Sequence, residues 1–230
     1  MNNIPKIESY IPNEWVEFLG LDLNDKFWKD MNVRLNRGKY YPERENIFRA
    51  LKLIKPEDVR VIILGQDPYH NGSADGLAFS CKTIQKSLEG VLKEIKREYD
   101  IPQHVKTIDG GNLGAWCEDG VLLLNTILTV EPRKPKSHES FGWTEFTDMI
   151  LQNLDTEDRI IMAWGGLARM STDSMKNIRK IFSPHPSPIN TTKPFSGCGC
   201  FTECNKLLRK IGYKNIRWLR IFDVIDVYGF

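Results

Sequence analysis

The sequence predicts a single α/β domain built on a central, mainly four-stranded parallel sheet with helices on both faces. Three observations carry that expectation. Four short apolar runs alternate with stretches of helical periodicity. Each run stops at a glycine, proline or polar segment. The 230 residues, 41% of them hydrophobic, suffice for one sizeable core and leave no surplus requiring a second.

Residues 1–40 read as a helical N-terminal part of the same domain. The first strand is Val59 to Leu64, VRVIIL, β-branched, too short for a helix and closed by Gly65. The others are Gly120 to Asn125 (GVLLLN), Arg159 to Trp164 (RIIMAW) and Ile178 to Ser183 (IRKIFS), the last interrupted by charges. Helical faces are formed by Ile47, Leu51 and Ile54, by Phe146, Met149, Ile150 and Leu154, and by Phe201, Cys204, Leu208 and Ile211. Strand and helix alternation favours parallel strands, whose neighbours need long crossover connections.

Composition removes several function classes. No apolar run approaches the ~18 residues of a membrane span, and the start Met1-Asn2-Asn3-Ile4-Pro5 has no charged-then-apolar signal pattern. An intracellular, cytoplasmic protein is expected, with a nucleus or an infected cell as further settings. Five cysteines, Cys81, Cys117, Cys198, Cys200 and Cys204, are too sparse for a disulfide scaffold and fit a reducing compartment. Cys198, Cys200 and Cys204 invite a metal reading, but three ligands in one short segment without a histidine pattern favour small buried thiols, so no metal and no cofactor are predicted. The net charge of +2 does not announce a nucleic-acid binder. Any such affinity must come from local charges such as Arg133, Lys134, Lys136 and Lys193. No GxSxG or GxxxxGKS element is present, which leaves nucleophilic hydrolases and nucleoside triphosphatases without their key parts.

In parallel α/β sheets, ligands bind outside the carboxyl ends of the strands. Here those ends carry Gly65-Gln66-Asp67-Pro68-Tyr69-His70, Asn125, Gly165-Gly166 and Pro184-His185-Pro186-Ser187-Pro188. Asp67 alone could be a turn former. Asn125 ends an apolar strand, where a buried amide is either a cross-brace or the reader of a ligand edge. His185 stands between two prolines that stiffen its loop, as a turn histidine or a functional one. His104 reads as an exposed bystander. His138 follows the basic loop and could touch a phosphate or serve no site.

The segments GQDPYH (Gly65 to His70), GLAFS (Gly76 to Ser80), LLLN ending at Asn125, the Ser137 to Asp148 stretch and HPSP (His185 to Pro188) together resemble family-1 uracil-DNA glycosylases. The similarity runs from about Tyr41 to about Trp218. It implies the glycosylase fold and a monomeric, monofunctional, metal-free hydrolase. Such an enzyme releases uracil from single- and double-stranded DNA and leaves an abasic site, the first step of base excision repair, with the nucleotide flipped into a pocket. On matching residues, Asp67 would activate water and stabilise a cationic sugar, and His185 would hydrogen-bond uracil O2. Gln66, Tyr69, Phe79 and Asn125 would bind uracil. Asn125 would read N3-H and O4, Tyr69 would exclude the thymine methyl, and Phe79 would stack. His70, Ser87, Gly165, Gly166, Ser187 and the wedge Ile189 would handle DNA. Uracil-containing DNA is the implied partner. A DNA-mimicking inhibitor protein is a second, depending on the altered loops.

Four positions depart from the family pattern. Isoleucine replaces the usual leucine at the wedge, Ile189, and is stiffer at χ1. Ile84-Gln85-Lys86 replaces a proline-rich loop, predicting a more flexible clamp. Gly166 lacks the usual hydroxyl, and Asp75 stands in a shortened loop where histidine is usual. Two other readings are a DNA-binding or replication-accessory module and an unrelated α/β fold binding a free nucleotide. Uracil release, DNA binding across salt and activity on free deoxyuridine nucleotides separate them.

Overall fold

Four parallel strands form one sheet in the order β2-β1-β3-β4 in the computed structural model, which describes residues 5–188 and 194–223. They are β1 (Val61–Gly65), β2 (Val121–Asn125), β3 (Ile160–Trp164) and β4 (Arg179–Ser183). Each expected strand is present, trimmed at its start. Gly120 precedes β2 instead of opening it, because it takes a left-handed φ of 98° at the end of a 3-10 turn. Its carbonyl there accepts the N–H groups of Arg60 and Val61 at 2.9 and 3.0 Å.

Every residue of β1, β2 and β3 is buried. Since alternate side chains on a strand point to opposite faces, both faces of the sheet are covered. The cover comes from α1 (Asn13–Leu19), α2 (Lys26–Leu35), α3 (Arg49–Lys52), α4 (Lys86–Glu98), α5 (Trp143–Asn153), α6 (Gly166–Met170) and α7 (Cys200–Lys210), with short 3-10 turns between. The charged β4 is one of the two edge strands, with only Ile181 buried.

The expected helical faces point inward with two adjustments. Phe146, Ile150 and Leu154 are buried, whereas Met149 lies at the margin of the α5 stripe, 37% exposed. Ile47, Leu51 and Ile54 are buried, but the helix there is only the one-turn α3, since Pro56 disfavours helical geometry at Lys55 and starts a 3-10 turn. On α7, Phe201, Cys204 and Leu208 are buried, while Ile211 caps the helix at the margin.

The N-terminal helices belong to this core. Trp15 donates its indole N–H to the Ile54 carbonyl at 2.9 Å, and Trp28 meets Phe146 edge-on at 5.4 Å. At the other end, Ile221 and Phe222 are buried, and the Ile108 N–H donates to the Ile221 carbonyl at 2.9 Å. The beginning of the 221–230 tail therefore packs on the core. Its continuation past Asp223 lies outside the described residues. Among those residues no helix is long and apolar enough to cross a membrane.

The register fixes where chemistry can occur. Gly65 lies opposite Asn125, Leu64 opposite Ala163 and Trp164 opposite Ser183. The four strands thus end level, and the segments that follow them share one rim. The central strand is also the energetic centre. Ile62→Ala, at a fully buried site, is expected to lower unfolding free energy by about 2–5 kcal/mol in urea titrations.

Candidate active site

Beyond the strand ends lies a pocket of about 230 Å³ bordered by Gly65, Gln66, Phe79, Trp164, Gly165 and His185. This is smaller than the usual small-molecule cleft and suits one flat ring. Asn125, Asp67 and Tyr69 are not among its lining residues, but Asn125 lies against Gly65, which is. A Cβ placed on Gly65 would stand 2.1 Å from Asn125 Oδ1 and 3.0 Å from Ala78 Cβ, so only a glycine lets the amide lie across the end of β1. The Asn125 side chain is buried.

The segment after β1 is laced to the one after β2. The Thr126 N–H donates to the Gly65 carbonyl at 3.1 Å, and the Gln66 carbonyl accepts from Thr126 Oγ1 and the Ile127 N–H, both at 2.9 Å. Asp67 is held by the Lys136 N–H, which donates to its Oδ2 at 2.8 Å. Burial raises the Asp67 pKa above the ordinary 3.8, opposed by that N–H and by the nearby His70. The basic loop curls over this segment, with the Arg133 N–H donating to the His70 carbonyl at 2.9 Å.

His185 borders the pocket from the β4 loop. The Ser187 N–H donates to its Nδ1 at 3.1 Å, so the neutral imidazole carries its proton on Nε2. Burial lowers its pKa below the ordinary 6.5, which favours that neutral form. Gly165, at a left-handed φ of 92°, lets the β3 end approach closely: a Cβ there would be 3.0 Å from His185 Cβ. Behind the same loop, a Cβ on Gly90 of α4 would be 2.1 Å from the Pro186 carbonyl oxygen. Helix α4 and the histidine loop are therefore in direct backbone contact.

The aromatic wall contains a strained residue. Phe79 has a φ of 62°, uncommon for a bulky side chain and a mark of a constrained site. It packs at 4.9 Å from Trp164 and 6.2 Å from His185, ring centre to ring centre. Its carbonyl accepts the Tyr69 hydroxyl at 3.4 Å. Trp164 itself was not singled out in the sequence, where it reads as the apolar end of a strand. Its buried indole N–H has no partner among the described residues.

The altered loops have identifiable anchors. The Asp75 carboxylate pairs with Arg49 at 2.6 Å and accepts from the Ser80 hydroxyl at 2.6 Å and the Leu77 N–H at 3.1 Å, fastening both sides of Phe79. The expected flexible clamp at Ile84-Gln85-Lys86 is instead braced. Gln85 accepts from Asn71 at 2.8 Å and donates to Ser73 Oγ at 3.1 Å and the Thr83 carbonyl at 2.7 Å. Ser87 follows as the second residue of α4. Gly166 starts α6 on the surface, with open space where a side chain would go. His70 keeps a buried Nδ1 without a partner among the described residues. Ile189 and Lys193 lie outside the described residues.

His138 turns inward. It is buried, bonds Thr129 at 2.8 Å through Nδ1 and stacks on Phe141 at 3.9 Å. The sequence left it as a phosphate contact or a residue serving no site; the structure shows instead an internal brace. His104 is exposed, as expected.

The family described as the uracil DNA glycosylase superfamily matches residues 51–209. The chain belongs to the uracil-DNA glycosylase superfamily. A uracil-DNA glycosylase of Aliivibrio fischeri is 38% identical over 220 residues, covering 89% of this chain and 96% of that protein. One from Coxiella burnetii is 38% identical over 219 residues, covering 89% and 95% respectively. The crystal structure of mimivirus uracil-DNA glycosylase shares the fold, with a TM-score of 0.83 over 93% of this chain and 89% of that one at 22% identity.

The close approach at the end of β1 has a direct test. Gly65→Ala is expected to displace the Asn125 amide and lower uracil release by about 10²-fold, the scale of a 1 Å misplacement. The measurement is single-turnover release on uracil-containing DNA, with thermal unfolding showing that the variant still folds.

Proposed function

We propose that the strand rim receives a uracil nucleotide extruded from DNA, reads its edge with Asn125 and breaks its glycosidic bond with Asp67 and His185. The chain is a uracil-DNA glycosylase, a hydrolase that cleaves an N-glycosidic bond in the service of base excision repair. What is proposed is the allocation of that chemistry to residues and the form of the DNA. The observation that carries it is the occupied Nδ1 of His185, which leaves Nε2 as the protonated nitrogen of a ring that borders the pocket.

As the bond from the sugar C1′ to uracil N1 lengthens, electrons pass to the base and negative charge builds on O2. The neutral imidazole donates from Nε2 to that oxygen, and a preoriented donor in a dry site is worth more there than in water. The sugar becomes cationic. The Asp67 carboxylate faces this charge and accepts the proton of the water whose oxygen bonds to C1′. The uracil anion takes up a proton from solvent and Asp67 gives up the one it received, so free uracil and an abasic site result, from single- or double-stranded substrate, with no lysine nucleophile and no strand cleavage.

Base choice follows from polarity and shape. Asn125 presents an acceptor to N3-H and a donor to O4, whereas cytosine offers the reverse pattern and leaves buried groups unpaired. Phe79 stacks on the ring, and Tyr69 stands where the thymine C5 methyl would project. Gln66 completes the pocket wall. On the DNA side, His70, Ser87, Gly165, Gly166 and Ser187 contact the backbone, with Ile189 as the wedge that fills the vacated stack. The protein acts as a monomer inside the cell and needs no cofactor. A mimivirus variant has been solved in complex with UGI, and the same kind of inhibitor protein would compete with DNA for this rim.

Asp67→Asn and His185→Leu are each expected to reduce uracil release by about 10²-fold or more. Near-wild-type rates in either would remove the assigned role. The reactive state needs Asp67 ionised and His185 neutral. Burial raises the first group above 3.8 and lowers the second below 6.5, so as pH falls the Asp67 anion is lost already above 3.8, while His185 gains its charge only below 6.5. The acid limb of kcat/KM is therefore expected to set in above pH 3.8, carried by Asp67.

Two substitutions probe specificity and grip. Tyr69→Ala is expected to release thymine from T-containing DNA that the wild type leaves intact. Gly166→Ser, which adds a hydroxyl in open space, is expected to tighten binding to DNA carrying a non-cleavable uracil analogue, with the catalytic rate constant unchanged. Weaker or equal binding would count against a phosphate contact at this turn.

A further inference from the structure

The five cysteines divide into two kinds. Cys81, Cys117 and Cys204 are single buried thiols, as the sequence suggests, whereas Cys198 is only partly buried and lies beside Cys200. Glu98, from the end of α4, completes a cluster whose two sulfurs and one carboxylate oxygen all lie within 4.8 Å of one another. We propose that Glu98, Cys198 and Cys200 bind a thiophilic divalent cation of the zinc class, with the fourth position open to water or to the Ser183 hydroxyl.

The distances require little contraction. Ligands at about 2.0–2.3 Å around tetrahedral zinc are separated by less than twice that bond length, so the three donors need to close by about an ångström. The donors are already aimed. Cys198 Sγ accepts from the backbone N–H and the thiol of Cys200, and Ser183 hydrogen-bonds both cysteines. Glu98 is held by the Phe201 and Thr202 N–H groups at 3.3 and 2.6 Å. The turn between the thiols is held by Glu94, which accepts from the Gly197 and Gly199 N–H groups at 2.7 and 2.9 Å. A carboxylate ligand with its own N–H partners, on a turn braced by a second carboxylate, has the outer support that metal ligands use.

Charge and softness point the same way. Two thiolates and a carboxylate carry three negative charges, so a bound dication would leave one in excess, beside the Arg97 guanidinium. Cys200 opens α7, and since burial raises its thiol pKa, a bound metal must displace its proton. Two sulfurs among three donors select zinc-like or softer ions over magnesium or calcium. Among the described residues Arg97 pairs with Glu94 at 2.9 Å, and its charge also acts on Glu98 and Cys198, so the guanidinium meets part of the negative charge that a metal would bind.

The test is a titration of the reduced full-length protein with Co²⁺, read by thiolate-to-metal charge-transfer absorption, followed by displacement with Zn²⁺. One equivalent with a thiolate band is expected for the wild type. Cys198→Ala should abolish the band while keeping uracil release, which reports its folding. Glu98→Gln should weaken binding by about tenfold or more. Zn²⁺ should also raise the unfolding temperature of the wild type and leave that of Cys198→Ala unchanged, since a ligand stabilises only the state it binds. Absence of the band, its persistence in Cys198→Ala, or a Cys198–Cys200 disulfide in the protein as purified would each overturn the site.

Discussion

The fold depends at its working end on one close approach, the Asn125 amide lying over the bare Cα of Gly65. It is possible only because parallel register sets those two residues opposite one another at the last rung of the ladder. A shift of one residue would turn Asn125 to the other face and bring a side chain of β2 against β1. The register in turn rests on strands buried on both faces, where any slip would expose apolar surface. Recognition at the rim is therefore fixed by the same packing that gives the domain its stability.

Burial at this rim pushes the two groups proposed for the chemistry in opposite directions, Asp67 up and His185 down. Both shifts reflect the penalty on charge in a poorly solvated place. For His185 this favours the neutral donor. For Asp67 it opposes the anion, which the Lys136 N–H and the neighbouring His70 partly restore. A dry pocket suited to a flat base thus carries an electrostatic tension that polar contacts from the basic loop relieve.

Much of this was legible in the chain. The four apolar runs and their abrupt ends gave strands, rim and pocket, because a buried parallel strand is a short continuous apolar word and its terminus is punctuated. The motif residues Gln66, Phe79, Gly165 and His185 do meet at one pocket. Long-range partnerships were not legible. Arg49 and Asp75 are separated by many residues, and neither charge signals that it pairs with the other until the fold brings them together. Gln85 looked like the loss of a proline-rich stiffener, but side-chain hydrogen bonds supply the stiffness that ring geometry would have given. Trp164 was hidden by its own strand, since periodicity cannot tell an aromatic that packs from one that borders a cavity.

Helix α4 touches the chain on both sides of the histidine loop. Gly90 abuts Pro186, and Glu94 and Glu98 hold the backbone from Gly197 to Thr202. Helix α4 thus serves as one pier for two stretches of backbone, and a tilt of that helix would reach the pocket wall through Pro186 and the His185 beside it.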